Sequence, residues 1–174
     1  MAIEEPAFSV LIDDKPYELR RYEGYVVAET LVSGDFDSAS RAGFRRIAGY
    51  IFGDNQAASG TQRNIAMTAP VTVEPQDNAW RLHFVMPSAE SLATLPKPNN
   101  PDVRLRTVEP HFVASIRFSG FTTASSIEAQ TRLLQSWITK QKLEAIGQAQ
   151  VARYNDPFTL PWNRRNEILI PVKP

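Results

Sequence analysis

The chain has 174 residues, 43% of them hydrophobic and 22% charged, with nineteen basic side chains balancing nineteen acidic ones. That composition supplies a globular core, excludes disorder throughout, and lacks the net basic field that nucleic-acid binding needs. Cysteine is absent, so disulfides, thiol catalysis, iron–sulfur clusters and thiolate zinc sites are excluded.

The nearest approaches to basic clusters, Arg45-Arg46 and Arg164-Arg165, are only pairs. Residues 1–9 show no cationic stretch followed by an apolar one, so no signal peptide is expected. No apolar run approaches the roughly 20 residues that cross a bilayer. The expectation is a soluble, cytoplasmic protein without a membrane span or a nucleic-acid partner.

In chain order, the first strand-rich region is Tyr17–Gly34, broken by a turn at Glu23-Gly24. A helix is expected from about Asp37 to Phe52. Its residues Phe36, Ala39, Gly43, Phe44, Ile47, Ala48 and Ile51 recur at helical spacing on one face, Asp35 or Asp37 can cap it, and Gly53 can end it. Strand-like stretches follow at Ile65–Val73 and Trp80–Met86. In the second, Trp80, Leu82, Phe84 and Met86 alternate with Arg81, His83 and Val85. If the apolar stripe faces a core, His83 faces outward. Leu95–Pro101 is rich in proline and asparagine and reads as a linker.

Val103–Gly120 then repeats the opening region. Aligned without gaps on Tyr17–Gly34, it is identical at seven of eighteen positions: Leu19/Leu105, Arg20/Arg106, Glu23/Glu109, Val27/Val113, Ala28/Ala114, Ser33/Ser119 and Gly34/Gly120. A second helix is expected from about Ser126 to Leu143, with Ser125 and Glu128 at capping-box spacing. Strands at about 149–154 and 167–172 close the chain. Fixed-period self-similarity is a signature of duplication. The expectation is therefore one α+β domain over 1–174, built from pseudo-repeat halves at about 17–95 and 103–172. Each half is a βαββ-like unit, and their strands form one curved, barrel-like sheet carrying both helices. Two such halves leave a groove where they meet, and clefts of that kind favour ligands.

No nucleophile motif, phosphate-cradling glycine loop or metal-ligand pair is present, so no catalytic residue is assigned. A carboxylate pair among Glu18, Glu23, Glu29, Glu109 and Glu167 keeps a hydrolase open as an alternative. His83 and His111 lack partners at ligand spacing and read as surface or structural histidines; they are also the imidazoles available to a metal. Met67 suits either core filling or a pocket for a flat ligand. Arg153–Ile168 sets Tyr154, Phe158 and Trp162 around Pro157 and Pro161. This segment is either a lid whose arginines meet ligand carboxylates or a wrap in which Arg164 or Arg165 pairs with Glu167.

Five segments in order carry a resemblance: Tyr17–Tyr22 (YELRRY), Ala66–Val71 (AMTAPV), Phe118–Phe121 (FSGF), Tyr154–Phe158 (YNDPF) and Arg164–Ile168 (RRNEI). Over nearly its whole length the chain resembles the SOUL haem-binding protein family. The resemblance implies a distorted antiparallel β-barrel flanked by two α-helices, akin to effector-binding domains of some bacterial drug-responsive regulators. It also implies a haem or porphyrin ligand bound on the first helix, which points to Phe44, Arg45, Ile47, Tyr50, Ile51 and Met67, with Arg46 a second choice for propionates. Some family members have a histidine, proposed as iron ligand, before or around that helix. None precedes His83 here, so axial ligation is not carried over. The alternatives are a broad-specificity small-molecule effector or sequestration domain, the hydrolase, and a protein-interaction module.

Overall fold

The computed structural model describes residues 3–156 and 158–174; Pro157 of the proline–aromatic loop lies outside the described residues. In chain order the elements are β1 (Phe8–Asp14), β2 (Tyr17–Tyr22), β3 (Tyr25–Ser33), α1 (Phe36–Ile51), β4 (Asn55–Gln56), β5 (Val71–Gln76) and β6 (Ala79–Val85). There follow β7 (Lys97–Pro98), β8 (Arg104–Val108), β9 (His111–Phe118), α2 (Ala124–Lys140), β10 (Glu144–Ala145), β11 (Gln150–Arg153), a 3-10 turn (Pro161–Asn163) and β12 (Asn166–Lys173). The class is α+β. No helix among the described residues is long and apolar enough to cross a membrane.

The chain forms two compact units, and neither is continuous in sequence. The first is Gly24–Glu109 with the N-terminal residues to Pro6; the second is Ala7–Glu23 with Pro110–Pro174. In the first, the strands run β8–β3–β6–β5, all antiparallel, and α1 packs on β3 and β6. In the second they run β1–β2–β9–β12–β11, again antiparallel, with α2 on β9 and β12. Thus β2 and β3, though separated only by Glu23-Gly24, do not pair with each other. β2 joins β9 with Leu19 opposite Ala114, and β8 joins β3 with Leu105 opposite Ala28. Within the repeat alignment, each leading strand is paired with the following strand of the other copy.

Local chemistry sets the helix limits. Asp35 caps α1, its carboxylate accepting from Ser38 N at 2.9 Å, and Gly53 (φ +120°) supplies the left-handed turn just beyond its end. The cap of α2 is Thr123, whose hydroxyl accepts from Ser126 N at 3.2 Å. The Ser125/Glu128 box expected from spacing is therefore not the cap, because both residues already lie inside the helix. At the other end Lys142 takes positive φ, so α2 stops at Lys140, three residues early.

The strands differ from expectation in three places. β1 had not been expected, although Phe8, Val10 and Ile12 alternate; it forms a hairpin with β2. Regular strand begins only at Val71, because Ile65–Pro70 contains no strand and touches Glu4 through a single bridge at Thr68. The segment expected as a linker instead contributes β7, which pairs with β4, and it buries Leu95.

In the first unit, Ala39, Gly43, Ile47, Tyr50 and Ile51 of α1 are buried with Ala28, Val32, Val73, Leu82 and Phe84 of the sheet. Each such large aliphatic contributes roughly 1.5–3 kcal/mol relative to exposure. Gly43 marks the closest approach. A Cβ placed there would lie 2.6 Å from Leu82 Cδ1 and 2.8 Å from its Cδ2, and Leu82 is fully buried. Alanine should gain about 1 kcal/mol in helix propensity, yet overpacking should cost more, about 1–3 kcal/mol. Gly43→Ala is therefore expected to lower the melting temperature in thermal unfolding followed by circular dichroism; an unchanged or higher value would show that Leu82 can move aside.

Candidate functional site

The residues expected on the first helix divide by exposure. Ile47, Tyr50 and Ile51 belong to the core and are essentially without solvent contact. The Tyr50 hydroxyl donates to Pro96 O at 2.7 Å, and burial pushes its pKa up to about 12. Phe44 lies on the helix edge, 41% exposed, with its ring centroid 5.5 Å from that of buried Phe84. Arg45 is exposed, and Met67 is partly buried against the same core. Arg46 is committed to β3, where its Nη1 donates to Leu31 O at 3.0 Å and to the Thr30 hydroxyl at 3.3 Å. A ligand approaching α1 from solvent therefore meets Phe44 and Arg45, while the aliphatic residues hold them in place.

His83 does not face outward. It is 6% exposed, because the face of β6 opposite the apolar stripe is itself buried. Its Nδ1 lies 3.2 Å from the Thr72 hydroxyl; its Nε2 lies 3.1 Å from Glu29 Oε2 and 3.3 Å from Arg106 Nη2. Both ring nitrogens thus have protein partners. Arg106 Nε donates to both oxygens of Glu29 at 3.2 Å, and Arg81 reaches Glu74 at 3.4 Å. Burial works to raise the pKa of Glu29, but the His83 hydrogen bond and the Arg106 charge outweigh it and hold the carboxyl at about 2. His111, at the start of β9, stacks on Tyr22 with centroids 5.6 Å apart.

The second unit carries a more deeply buried polar cluster on the face of β2 away from Leu19. Arg20, 1% exposed, donates from Nη1 to Glu167 Oε1 at 2.8 Å and to the Tyr22 hydroxyl at 3.0 Å. Its Nη2 donates to Glu167 Oε2 at 2.6 Å and to Glu18 Oε1 at 3.1 Å. The guanidinium also lies over the Phe8 ring at 4.5 Å. Glu167 accepts a further hydrogen bond from the Tyr154 hydroxyl, and Arg165 Nη2 stands 3.5 Å away. Burial tends to neutralise both ions, but their mutual hydrogen bonding prevails: the Glu167 pKa falls below the carboxylate norm and that of Arg20 rises. Burial, with the Glu167 charge nearby, pushes the Tyr154 pKa up.

Of the five candidate carboxylates, Glu29 and Glu167 are thus held inside polar clusters, half-buried Glu18 joins Arg20 in the second, and Glu23 and Glu109, in the turns between strands, are exposed. In the proline–aromatic segment, Arg165 pairs with Glu167 and stacks on Tyr154, while Arg164 Nε donates to Thr159 O at 2.8 Å. The lid arrangement, with arginines turned toward a ligand, is not what these contacts describe. The two polar clusters were invisible in the sequence, because Arg20, Glu29 and His83 each look like the solvent-facing member of an alternating strand. The one available signal was that Arg20 and Glu167 both lie within segments carrying the family resemblance.

A family model described as SOUL heme-binding protein matches residues 3–171. Heme-binding protein 2 of Homo sapiens is 31% identical over 180 residues, covering 96% of this chain and 85% of that protein. Heme-binding protein 1 of Xenopus laevis is 26% identical, covering 90% and 83%. Among solved structures, the EcmrR C-terminal domain superposes with a TM-score of 0.67 at 11% identity, covering 90% of this chain and 96% of that one. A hydrolase from Listeria innocua gives 0.64 at 10% identity, covering 94% of each. At such identity these likenesses show the fold alone.

The clusters yield two tests. Glu29 ionises at about 2 instead of an ordinary 4.5, so its stabilisation is full above 4.5 and fades as pH falls toward 2. Glu29→Gln should therefore be less stable than the parent at neutral pH by urea denaturation. The gap should close progressively between pH 5 and 2. A gap independent of pH would mean the carboxylate charge is not the source. For the deeper pair, Glu167→Leu alone strands a buried guanidinium and should cost about 3–5 kcal/mol, whereas adding Arg20→Met should restore most of it. Simple additivity of the two losses would argue against coupling.

Proposed function

Since this chain belongs to the SOUL heme-binding protein family, we propose that it binds haem or a related tetrapyrrole and acts in carriage, buffering or sequestration. The observation that carries this reading is the match across residues 3–171, joined to relatives named as heme-binding proteins over nearly the full chain. A cytoplasmic setting suits a chain without cysteines. The duplication read from the repeat is supported by the same order in both halves: two strands, a helix, a two-residue strand and two longer strands.

The residues present fit a porphyrin plane better than they fit its iron. Phe44 offers an exposed aromatic face on α1, and Arg45, the next residue, offers a cation for a propionate. Met67 backs the apolar side, while Ile47, Tyr50 and Ile51 act indirectly by fixing the helix on its sheet. His83 would have to abandon Thr72 or Glu29 to reach a metal, so ligation through it is disfavoured. Contact of this kind reads the macrocycle and its carboxylates and leaves the metal almost unread.

No catalytic step is included in the proposal. The buried carboxylate nearest a tyrosine, Glu167, is saturated by both nitrogens of Arg20 and held ionised below the carboxylate norm. A general acid–base residue needs a pKa near the working pH and a free lone pair, and Glu167 has neither.

Spectral titration with hemin, run beside metal-free protoporphyrin, tests the reading. Both should saturate at one equivalent with similar midpoints. Phe44→Glu should weaken both by about tenfold, the equivalent of about 1.4 kcal/mol of lost apolar contact. His111→Ala should change neither. Absence of saturable binding by either porphyrin would sink the proposal. A Soret shift for hemin alone that disappears in a His83 or His111 variant would replace it with ligated haem.

A further inference from the structure

The second unit presents a set of large apolar side chains that neither the core nor the proposed porphyrin contact uses. Phe158 is 94% exposed, Trp162 70%, Phe121 59% and Leu160 51%. They come from two loops that are fastened together. Gly120 N donates to Pro161 O at 2.8 Å, and the Asn166 side-chain amide donates to Gly120 O at 2.9 Å. Arg164 bridges them, with its guanidinium 5.3 Å over the Phe121 ring and its Nε on Thr159 O. Within the second loop, the Asp156 carboxylate accepts from Phe158 N at 2.8 Å, and Asn163 N donates to Leu160 O at 2.9 Å. The aromatics are therefore exposed on a braced platform.

Exposed apolar clusters of this size mark interaction surfaces. We propose that this platform is a peripheral docking site for an anionic lipid bilayer, a property independent of the porphyrin reading. Two features favour a membrane. Phe158 has almost no protein against it on any side, so it serves as a wedge entering a soft medium and not as the wall of a pocket for a small ligand. Tryptophan, phenylalanine and leucine partition into the headgroup–acyl boundary, where a bulky apolar tip is satisfied without a complementary pocket. The local charge also has the right sign. Residues 153–165 hold the half-buried Arg153, Arg164 and Arg165 against Asp156, with Arg165 also facing Glu167 at 3.5 Å, and Arg117 at the neighbouring end of β9 is exposed. Glu167 is shared between Arg20 and Arg165, and even with Glu18 and Asp156 counted the basic groups of this region outnumber the acidic ones. Basic residues beside the inserting side chains draw the platform to phosphatidylserine-bearing surfaces in a salt-dependent way.

The experiment is co-sedimentation of the full chain with phosphatidylcholine vesicles, with and without phosphatidylserine. It is paired with tryptophan fluorescence on vesicles whose acyl chains are brominated. Binding should require phosphatidylserine, weaken with added salt, and drop by about tenfold in either Phe158→Ser or Trp162→Ser. Both positions are solvent-exposed, so the variants should keep the parent's circular dichroism and melting temperature. Quenching in the unaltered protein should be strong and should largely vanish in Trp162→Phe, which reads insertion without depending on a disruptive change. The proposal is overturned if the protein stays in the supernatant, or if the variants bind vesicles as well as the parent does. It is likewise overturned if sedimentation velocity shows self-association through Phe158 and Trp162 in place of vesicle binding.

Discussion

A guanidinium almost wholly removed from water has to be met by a carboxylate, and here that carboxylate comes from the opposite end of the chain. Arg20 lies on β2 and Glu167 on β12, with β9 paired between them, so the ion pair reaches over a whole strand. Either ion alone in that position would cost several kcal/mol. The pair consequently ties the N-terminal hairpin to the C-terminal strand. This is the energetic counterpart of a topology in which residues 7–23 belong with residues 110–174. Tyr22, Tyr154 and Phe8 complete the enclosure by supplying hydroxyls and an aromatic face where water would otherwise be required.

The first unit solves the same problem with different residues. Its sheet is apolar toward α1, while its other face carries Glu29, Glu74, Arg81, His83 and Arg106 in one connected network. Both units thus place their dry contact beneath a helix and a charged network on the reverse of the sheet. The consequence for ligand binding is that the buried residues of α1 are already committed to structure. On the helix edge Phe44 stays 41% exposed, with its ring tilted against that of Phe84. The same reasoning separates the aromatic platform at Phe121 and Phe158–Trp162 from the core, since none of those side chains is needed to close it.

Much of this was legible beforehand because it follows from local periodicity. The face of α1 that packs on the sheet, the alternation of β6 and the strand-rich repeat around Leu19 and Leu105 are all short-range patterns. Burial confirms Ile47, Ile51, Leu82 and Phe84 as core residues. The Asp35 cap and the Gly53 stop are likewise local, being properties of single residues and their nearest neighbours. His83 illustrates the opposite case. Alternation correctly separated it from Leu82 and Phe84, but alternation reports only which residues share a face, not whether the second face meets water. The same blindness hid the burial of Arg20 and Glu29. β1 is hard to read because Val10, Leu11 and Ile12 are consecutively apolar and the register shifts between Val10 and Ile12, which breaks the two-residue alternation.

By itself, the sequence determined the class of fold, the two helices, the Asp35 cap of the first, the apolar stripes that became the core, and the five ordered segments that carry the family resemblance. Each depends on residues close together along the chain or on their bare identity. Tertiary structure alone decided the partners: β2 with β9, β8 with β3, Arg20 with Glu167, and His83 with Glu29 and Thr72. It also decided that Ile47, Tyr50 and Ile51 are spent on packing while Phe44 stays partly exposed. Such pairings join residues up to 147 positions apart, and what selects them is the free energy of removing a charge or an apolar side chain from water, a quantity defined only once the chain has closed around it.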